Sequence, residues 1–192
     1  MQVEEALHCV LANLRTDIGR FFATGEGLSL GKGKFYNSLI FPLFDDASQA
    51  FMTVAGIGYV LTHECDVDQQ NNRTFNDDVL ICPVIPFQDL VETLKQELPR
   101  DQLMAFLGNL GARNIHRLIY IPSLGEKLAY GGVLYLNQIT NTPVSVFSNG
   151  EATSIGALTG YSLTIVEYAI ENHLLRPKVE RLAFVTETQE DN

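Results

Sequence analysis

Apolar residues recur at helical spacing near both ends of the chain. In residues 3–14 the apolar positions share one helical face, and Glu4 and Glu5 lie in the first turn, where the helix dipole favours acidic side chains. A second helix is predicted from Ser162 to Leu175, because Leu163, Val166, Ile170 and Leu174 fall on one face. Pro177 ends this helix, since the residue before a proline avoids the helical conformation.

Short runs of β-prone residues fill most of the chain between these helices. The predicted strands are Tyr36–Phe44, Phe51–Thr62, Val79–Ile85, His116–Ile121, Val133–Ile139, Val144–Phe147 and Leu182–Thr186. One helical insertion interrupts them, with helices predicted over Gln88–Leu98 and Gln102–Leu107 on either side of Pro99. Strands that follow one another through turns, without regular alternation with helices, predict an α+β protein built on a small, strongly curved antiparallel sheet or barrel.

The length of 192 residues and the apolar fraction of 46% suit one globular domain. Within this predicted single domain we expect an N-terminal helical part (1–20), a barrel (34–147) containing the helical insertion (87–107), and a C-terminal helix, last strand and tail (155–192). No run is apolar and long enough to span a membrane, and the acidic start is unlike a secretory signal. Three widely spaced cysteines are typical of reduced thiols, so we expect a cytoplasmic protein.

The charge balance argues against several partners. With 13 basic and 23 acidic residues the net charge is -10, which excludes capture of nucleic acid or anionic membrane by bulk electrostatic attraction. Eleven of the acidic residues lie between Asp45 and Asp101. This middle segment is interpreted either as a solvated acidic surface or as a docking face for a basic protein.

The most informative stretch is a strand end that runs into a polar cluster. Residues 58–68 read Gly-Tyr-Val-Leu-Thr-His-Glu-Cys-Asp-Val-Asp, and an Asn-rich turn then leads to the next apolar strand. This order predicts a hairpin with a long loop, in which Asn71 and Asn72 suit the turn positions.

The pattern Leu-Thr-x-x-Cys-Asp at a strand end resembles small-barrel proteins of bacteria and phages that are similar to the PemK/MazF superfamily of toxin ribonucleases. The resemblance implies a barrel of the Src-homology-3-like kind over residues 34–147 and a catalytic hydroxyl at Thr62. The arginine that the family carries just before this strand has no match, because Ala55-Gly-Ile-Gly58 stands there. Cleavage of a phosphodiester needs a cation on the developing charge, so the resemblance favours the fold more than the activity.

Four interpretations of the polar cluster stay open at this point. Cys65 is a candidate nucleophile with His63 as its base, since residues two apart on a strand share a face. His63, Cys65 and Cys82 are candidate ligands of a transition metal. Asp66, Asp68 and Asp77 approach the spacing of a calcium loop. In the fourth interpretation the cluster is structural, with Asp66 pinning the loop, Cys65 packed inside and His63 partly buried.

We therefore expect a non-catalytic binding or regulatory module that binds a protein partner or a second copy of itself, with no cofactor and no metal. The resemblance places it in a bacterial or phage conflict system, such as toxin–antitoxin or phage defence. The alternative is a PemK/MazF-like endoribonuclease whose cation is supplied by Arg73 or Arg117, and a third possibility is a metal-dependent enzyme. The candidate catalytic residues are Thr62, His63, Cys65, Asp66 and Arg73.

Overall fold

The computed structural model describes residues 1–14, 16–23, 29–45, 48–71 and 77–175. Within these ranges it contains six α-helices: α1 Val3–Asn13, α2 Glu64–Val67, α3 Phe87–Glu97, α4 Arg100–Gly111, α5 Ser145–Ser148 and α6 Gly160–Leu174. The same ranges hold eight strands: β1 Phe22–Ala23, β2 Lys34–Asp45, β3 Ala50–Val60, β4 Asp78–Pro86, β5 Leu118–Ile121, β6 Gly132–Tyr135, β7 Thr140–Pro143 and β8 Thr153–Leu158. Short 3-10 turns cover Ile18–Arg20, Gln69–Asn71 and Leu136–Gln138.

The strands form one antiparallel sheet in the order β1-β8-β2-β3-β4-β6-β5, and β7 also pairs with β4. This confirms the α+β class and the antiparallel sheet. Among the described strands no pairing joins β1 to β5, so the sheet is not closed and the predicted small barrel is not confirmed.

Three apolar clusters pack on the two faces of the sheet. Helix α6 covers one face, where Val166 and Ile170 lie against Tyr59 and Leu134. On the other face, α1, α3 and α4 pack over β5 and β6. A third cluster lies beneath the β3–β4 loop and α5. The polar sides of these amphipathic helices face water, so burial of one face explains why they form where the periodicity predicts them.

Gly111 at the end of α4 permits the closest approach of α4 to α1. A Cβ at this position would lie 2.2 Å from the carbonyl oxygen of Val10. The two helices could not pack at this distance with any larger residue.

Two predicted strands are wrong or incomplete. Val144–Phe147 is not a strand, because Val144 adopts the helical conformation directly after Pro143 and the chain makes the one-turn helix α5. The strand predicted over Val133–Ile139 stops at Tyr135 and continues as a 3-10 turn. Strand β8 was not predicted, since its glycine and serine residues break the apolar alternation. The strand predicted over Leu182–Thr186 lies outside the described residues.

None of the helices in the described ranges has the length and apolar character needed to cross a lipid bilayer.

Candidate functional site

The β3–β4 loop carries most of the residues that the sequence marked as chemical. Strand β3 ends at Val60, and His63 is the residue that caps helix α2. Its Nδ1 accepts a hydrogen bond of 3.3 Å from the backbone N–H of Cys65. The prediction that His63 and Cys65 lie on one face of a strand is therefore wrong, because the strand has ended before them. A ring nitrogen that accepts from this amide is also not directed at the Cys65 thiol.

Both side chains are exposed rather than packed in the core. The side chain of His63 is 59% exposed, and Cys65 and Asp66 are exposed as well. The prediction that the Cys65 side chain packs in the core is wrong, because Cys65 lies in helix α2 and is exposed to solvent. Hydrogen bonds that hold the loop come from Asp68, which accepts from the N–H of Gln70 at 2.9 Å, and from Asn71, which donates to the carbonyl of Cys65 at 3.1 Å.

The hydroxyl of Thr62 has a structural partner. Its Oγ1 accepts a hydrogen bond of 2.7 Å from the backbone N–H of Leu80 on β4. The neighbouring Leu61 N–H donates to the carbonyl of Leu80 at 2.9 Å. These two bonds extend the β3–β4 pairing by the two residues that follow β3. Thr62 thus fastens the start of the loop to β4.

Cys82 lies in a buried environment, unlike the exposed residues of the loop. It is fully buried on β4, opposite Tyr59 of β3, and burial raises the pKa of its thiol to about 12. His63 and Cys65 are solvent-exposed on the loop, so the structure does not bring the three candidate metal ligands together. Within the described ranges, no group of three or more His, Cys, Asp or Glu side chains is placed to hold a metal ion.

Of the two arginines that were expected to replace the missing family cation, only Arg117 lies among the described residues. Arg73, together with Asn72 and Thr74, lies outside the described residues. Arg117 is exposed just before β5, and β6 separates β5 from β4 in the sheet. Arg117 therefore does not lie on the β3–β4 loop.

A cation that sequence reasoning missed lies beside this loop instead. Lys34, the first residue of β2, has a side chain that is only 9% exposed. Its Nζ lies 3.3 Å from Oε1 of Glu64 and also donates to the backbone carbonyl of Ser29. Gly31 makes room for the pair, because a Cβ there would lie 2.3 Å from Cγ of Glu64. In the sequence, the repeated Gly-Lys of residues 31–34 was the only sign of a cation at this place.

The pKa of Glu64 reflects this arrangement. Partial burial acts to raise it, but hydrogen bonds from its own backbone amide and from Lys34, together with the charge of Lys34, outweigh burial and lower the pKa below its ordinary value. A hollow of about 310 Å³ lies beside the pair and is lined by Ser29, Leu30, Glu64, Cys65, Val67 and Asp68. Glu64 and Asp68 carry the two carboxylates of this lining, and that of Glu64 is already paired with Lys34.

A second feature has the properties of a binding surface. The outer part of the β2–β3 hairpin comprises residues 40–45 and 50–55, and we call it the arm. Among the side chains described there, only that of Phe41 belongs to one of the three apolar clusters. Residues 50–55 of β3 are exposed without exception. The large apolar side chains that the arm exposes are Ile40, Leu43, Phe51, Met52 and Val54, and Phe51 is 77% exposed.

An apolar cleft lies at the base of the arm. It has a volume of about 490 Å³ and occupies the fork where β3 and β4 separate. Its walls are formed by Phe41, Val54, Ile57, Val84 and Pro86, and Asp89 lies at its border. The sequence analysis predicted both strands but not their exposure, because an apolar strand pattern is normally a sign of burial.

Comparison with known proteins adds no relative. No family model, curated protein or solved structure matches this chain. The resemblance to PemK/MazF-like proteins therefore rests on the sequence motif alone.

Proposed function

We propose that this protein is a non-catalytic binding module that holds a protein partner through its arm. The observation that carries the proposal is the set of exposed apolar side chains on the arm, which continues into the apolar cleft at its base. These side chains are divided between the two faces of the arm, with Ile40 and Phe51 on one face and Leu43, Met52 and Val54 on the other. Together they expose of the order of 500 Å² of apolar surface, so each face of the arm offers apolar contacts to a partner. Extended segments that add to a sheet edge, with side chains filling adjacent pockets, bind in this way.

The β3–β4 loop supports binding over phosphodiester cleavage. A ribonuclease needs a cation that faces the scissile phosphate. Lys34 is buried and paired with Glu64, and the hydroxyl of Thr62 accepts from the β4 backbone. The side chains that the loop turns to solvent include Asp66 and Asp68, which repel phosphate.

The setting of the proposal comes from the resemblance. We place the module in a bacterial or phage conflict system of the toxin–antitoxin or defence type, with its sheet as an open variant of the PemK/MazF-like barrel.

The test uses two variants that differ only in where a lysine is placed. Met52→Lys puts a charge on the arm at a residue that is 48% exposed, whereas Tyr168→Lys changes an exposed residue of α6, 69% exposed, and is the control. The wild type and both variants are used to capture partners from the native host, and the affinity of the captured protein is then measured by calorimetry with purified components. We expect Met52→Lys to weaken binding at least tenfold and Tyr168→Lys to leave it unchanged. Equal affinities for all three proteins would refute the proposal.

The endoribonuclease alternative is examined with the same preparations. On our account, none of them cleaves RNA. Turnover of RNA at substoichiometric protein, abolished by Thr62→Ala, would replace the binding function with a catalytic one.

A further inference from the structure

The outer edge of β3 is unpaired within the arm, as far as the described residues show. β3 pairs with β4 only over the four residues from Ile57 to Val60. At Val84 strand β4 turns away to pair with β6, and it leaves β3 without a neighbour on that side. We call the side of β3 that carries the backbone groups of Thr53 and Ala55 the open edge.

The hydrogen bonds at the base of the hairpin establish which backbone groups face the open edge. The carbonyl of Val60 accepts from Gly33 at 3.1 Å, on the β2 side, whereas the N–H of Leu61 donates to Leu80 at 2.9 Å, on the β4 side. Backbone groups of successive residues in a strand point alternately to the two sides. The pairing with β2 is regular from Gly56 to Ala50. Thr53 and Ala55 therefore direct their N–H and C=O groups away from β2, into the open edge.

The two edges of the arm differ in a way that matters for pairing. On β2, Pro42 lies opposite Thr53. A proline is accommodated in a strand where its nitrogen faces away from the neighbouring strand, so it blocks the outer edge of β2. The open edge of β3 has no proline, and no charged residue occurs between Asp46 and Glu64. Proteins usually protect a free strand edge with charges, prolines or bulges, and here only one of the two edges is protected.

We propose that the open edge pairs in antiparallel orientation with the open edge of a second copy of the chain, so that two arms form one continuous four-stranded sheet about a two-fold axis. This inference rests on the proposed function, because it names the partner of the arm. The seven-residue stretch Ala50–Gly56 pairs completely with itself when Thr53 lies opposite Thr53 of the second copy. In this register the large Met52 lies beside the smaller Val54, and Phe51 beside Ala55.

Charge restricts the place and the orientation in which a second copy can pair. Each chain carries a net charge of -10, so two copies repel each other over most of their surface. The hairpin has no charged residue from Phe35 to Phe44 or from Ala47 to His63, and its acidic residues, Asp45 and Asp46, lie between these two stretches. Antiparallel pairing centred on Thr53 places the two acidic bodies at opposite ends of the joined sheet. Edge pairing places Met52 beside Val54 on one face of the joined sheet and Phe51 beside Ala55 on the other, so apolar side chains of the two copies meet on both faces.

The proposal is tested by removing one N–H group from the open edge. Thr53→Pro deletes the donor at the centre of the interface but breaks no hydrogen bond within the chain, because this N–H faces away from β2. Thr53→Val keeps the N–H and the β-branched shape and is the matched control. We expect the wild type and Thr53→Val to have twice the mass of one chain in light scattering at about 100 μM, where micromolar affinities populate the complex. Thr53→Pro is expected to have the mass of one chain.

Cysteine cross-linking reports the register even if Thr53→Pro does not fold. In a Cys65→Ser background, Thr53→Cys brings the two new cysteines opposite each other at a Cα separation of about 5.5 Å, which a disulfide spans. Met52→Cys places its cysteine opposite Val54 and serves as the control. With oxidised glutathione we expect a covalent dimer for Thr53→Cys only. A monomeric wild type, a dimeric Thr53→Pro or equal cross-linking of both cysteines would overturn the inference. If the inference were overturned but Met52→Lys still abolished binding of a captured partner protein, the proposed function would remain valid.

Discussion

The two halves of the β2–β3 hairpin have similar apolar sequences but opposite environments. In the base, Phe35 and Tyr59 are fully buried, and neighbouring strands pair with both outer edges, β8 with β2 and β4 with β3. In the arm, the same two strands continue in register, yet both faces of β3 are exposed and its outer edge has no partner among the described residues. The difference lies in the neighbours rather than in the strands. Apolar side chains that stay exposed in the part of the chain that the structure describes indicate an external partner.

A bulge marks the boundary between the two halves. The pairing register shifts between Tyr36 and Leu39, and Ser38 adopts a positive φ of 66°. Strand β2 parts from β8 at Asn37. Bulges bend a strand and increase its twist, so this one turns the arm away from the body of the sheet.

Removal of an aromatic ring is expected to give the largest difference in unfolding free energy between the base and the arm of the hairpin. Tyr59→Ala in the base should lower the free energy of unfolding by about 3–5 kcal/mol, because a fully buried ring leaves a cavity. Phe51→Ala in the arm should change it by less than about 0.5–1 kcal/mol, since that ring is already largely exposed. Urea unfolding of the two variants gives both values, and a comparable loss for Phe51→Ala would show that the arm belongs to the core.

Two glycines of β3 give a finer test at the boundary. A Cβ at Gly58 would lie 2.5 Å from Leu39 Cδ1 and 2.9 Å from Phe41 Cζ, whereas at Gly56 the nearest atom would lie 3.8 Å away. Gly58→Ala should therefore cost about 1–3 kcal/mol of unfolding free energy through overpacking. Gly56→Ala is the matched control and should be neutral or slightly stabilising. Thermal unfolding that ranks the two variants in the reverse order would contradict the packing described for the base.

The ion pair beside the β3–β4 loop predicts a pH dependence. Because the folded-state pKa of Glu64 is lowered, the pair stabilises the fold above the ordinary pKa of a glutamate and loses this effect as pH falls through the folded-state value. Glu64→Gln should cost about 1 kcal/mol at pH 7, and the difference from wild type should shrink in acid.

Glu92 supplies the control for this measurement. It pairs with Lys95 at 3.0 Å on the exposed surface of α3. Glu92→Gln should change the unfolding free energy by less than about 0.5 kcal/mol. Chemical unfolding at pH 7 and pH 3 measures both variants, and a loss for Glu64→Gln that is independent of pH would refute the electrostatic explanation.

The smallest effect is expected at the bulge. Ser38→Gly removes the cost of a positive φ in a residue with a Cβ and should raise the unfolding free energy by about 0.5 kcal/mol, the gain being reduced by the greater freedom of glycine in the unfolded chain. The affinity of the arm for its partner should not change in this variant. Calorimetric unfolding that shows destabilisation would mean that the Ser38 side chain holds the bulge.

The periodicity of apolar residues predicted the helices and strands that bury one face and expose the other. Helices α1, α3 and α6 and strands β2, β3 and β4 occur close to the predicted positions, because each repeats apolar residues at its own period. The site was predicted poorly. The strand pattern was extended through Thr62 into His63 and Cys65, although His63 caps a helix.

Two features could not be predicted from one sequence. The proximity of Lys34 to Glu64 depends on contacts between residues thirty apart, which a local pattern does not encode. The exposure of Phe51 and Met52 arises because the β4 pairing described for β3 covers only Ile57–Val60, whereas their continuous apolar run is the same as that of a buried strand.

Hydrogen–deuterium exchange along β3 tests the central claim most directly. The amides of Tyr59 and Ile57, which face β4, should exchange slowly at every protein concentration, whereas those of Thr53 and Ala55 should exchange rapidly in dilute solution and become protected when the arm is occupied, by a second copy at high concentration or by a captured partner. Slow exchange of Thr53 and Ala55 in the dilute, isolated chain, or rapid exchange under all of these conditions, would contradict the assignment of the arm as a binding surface.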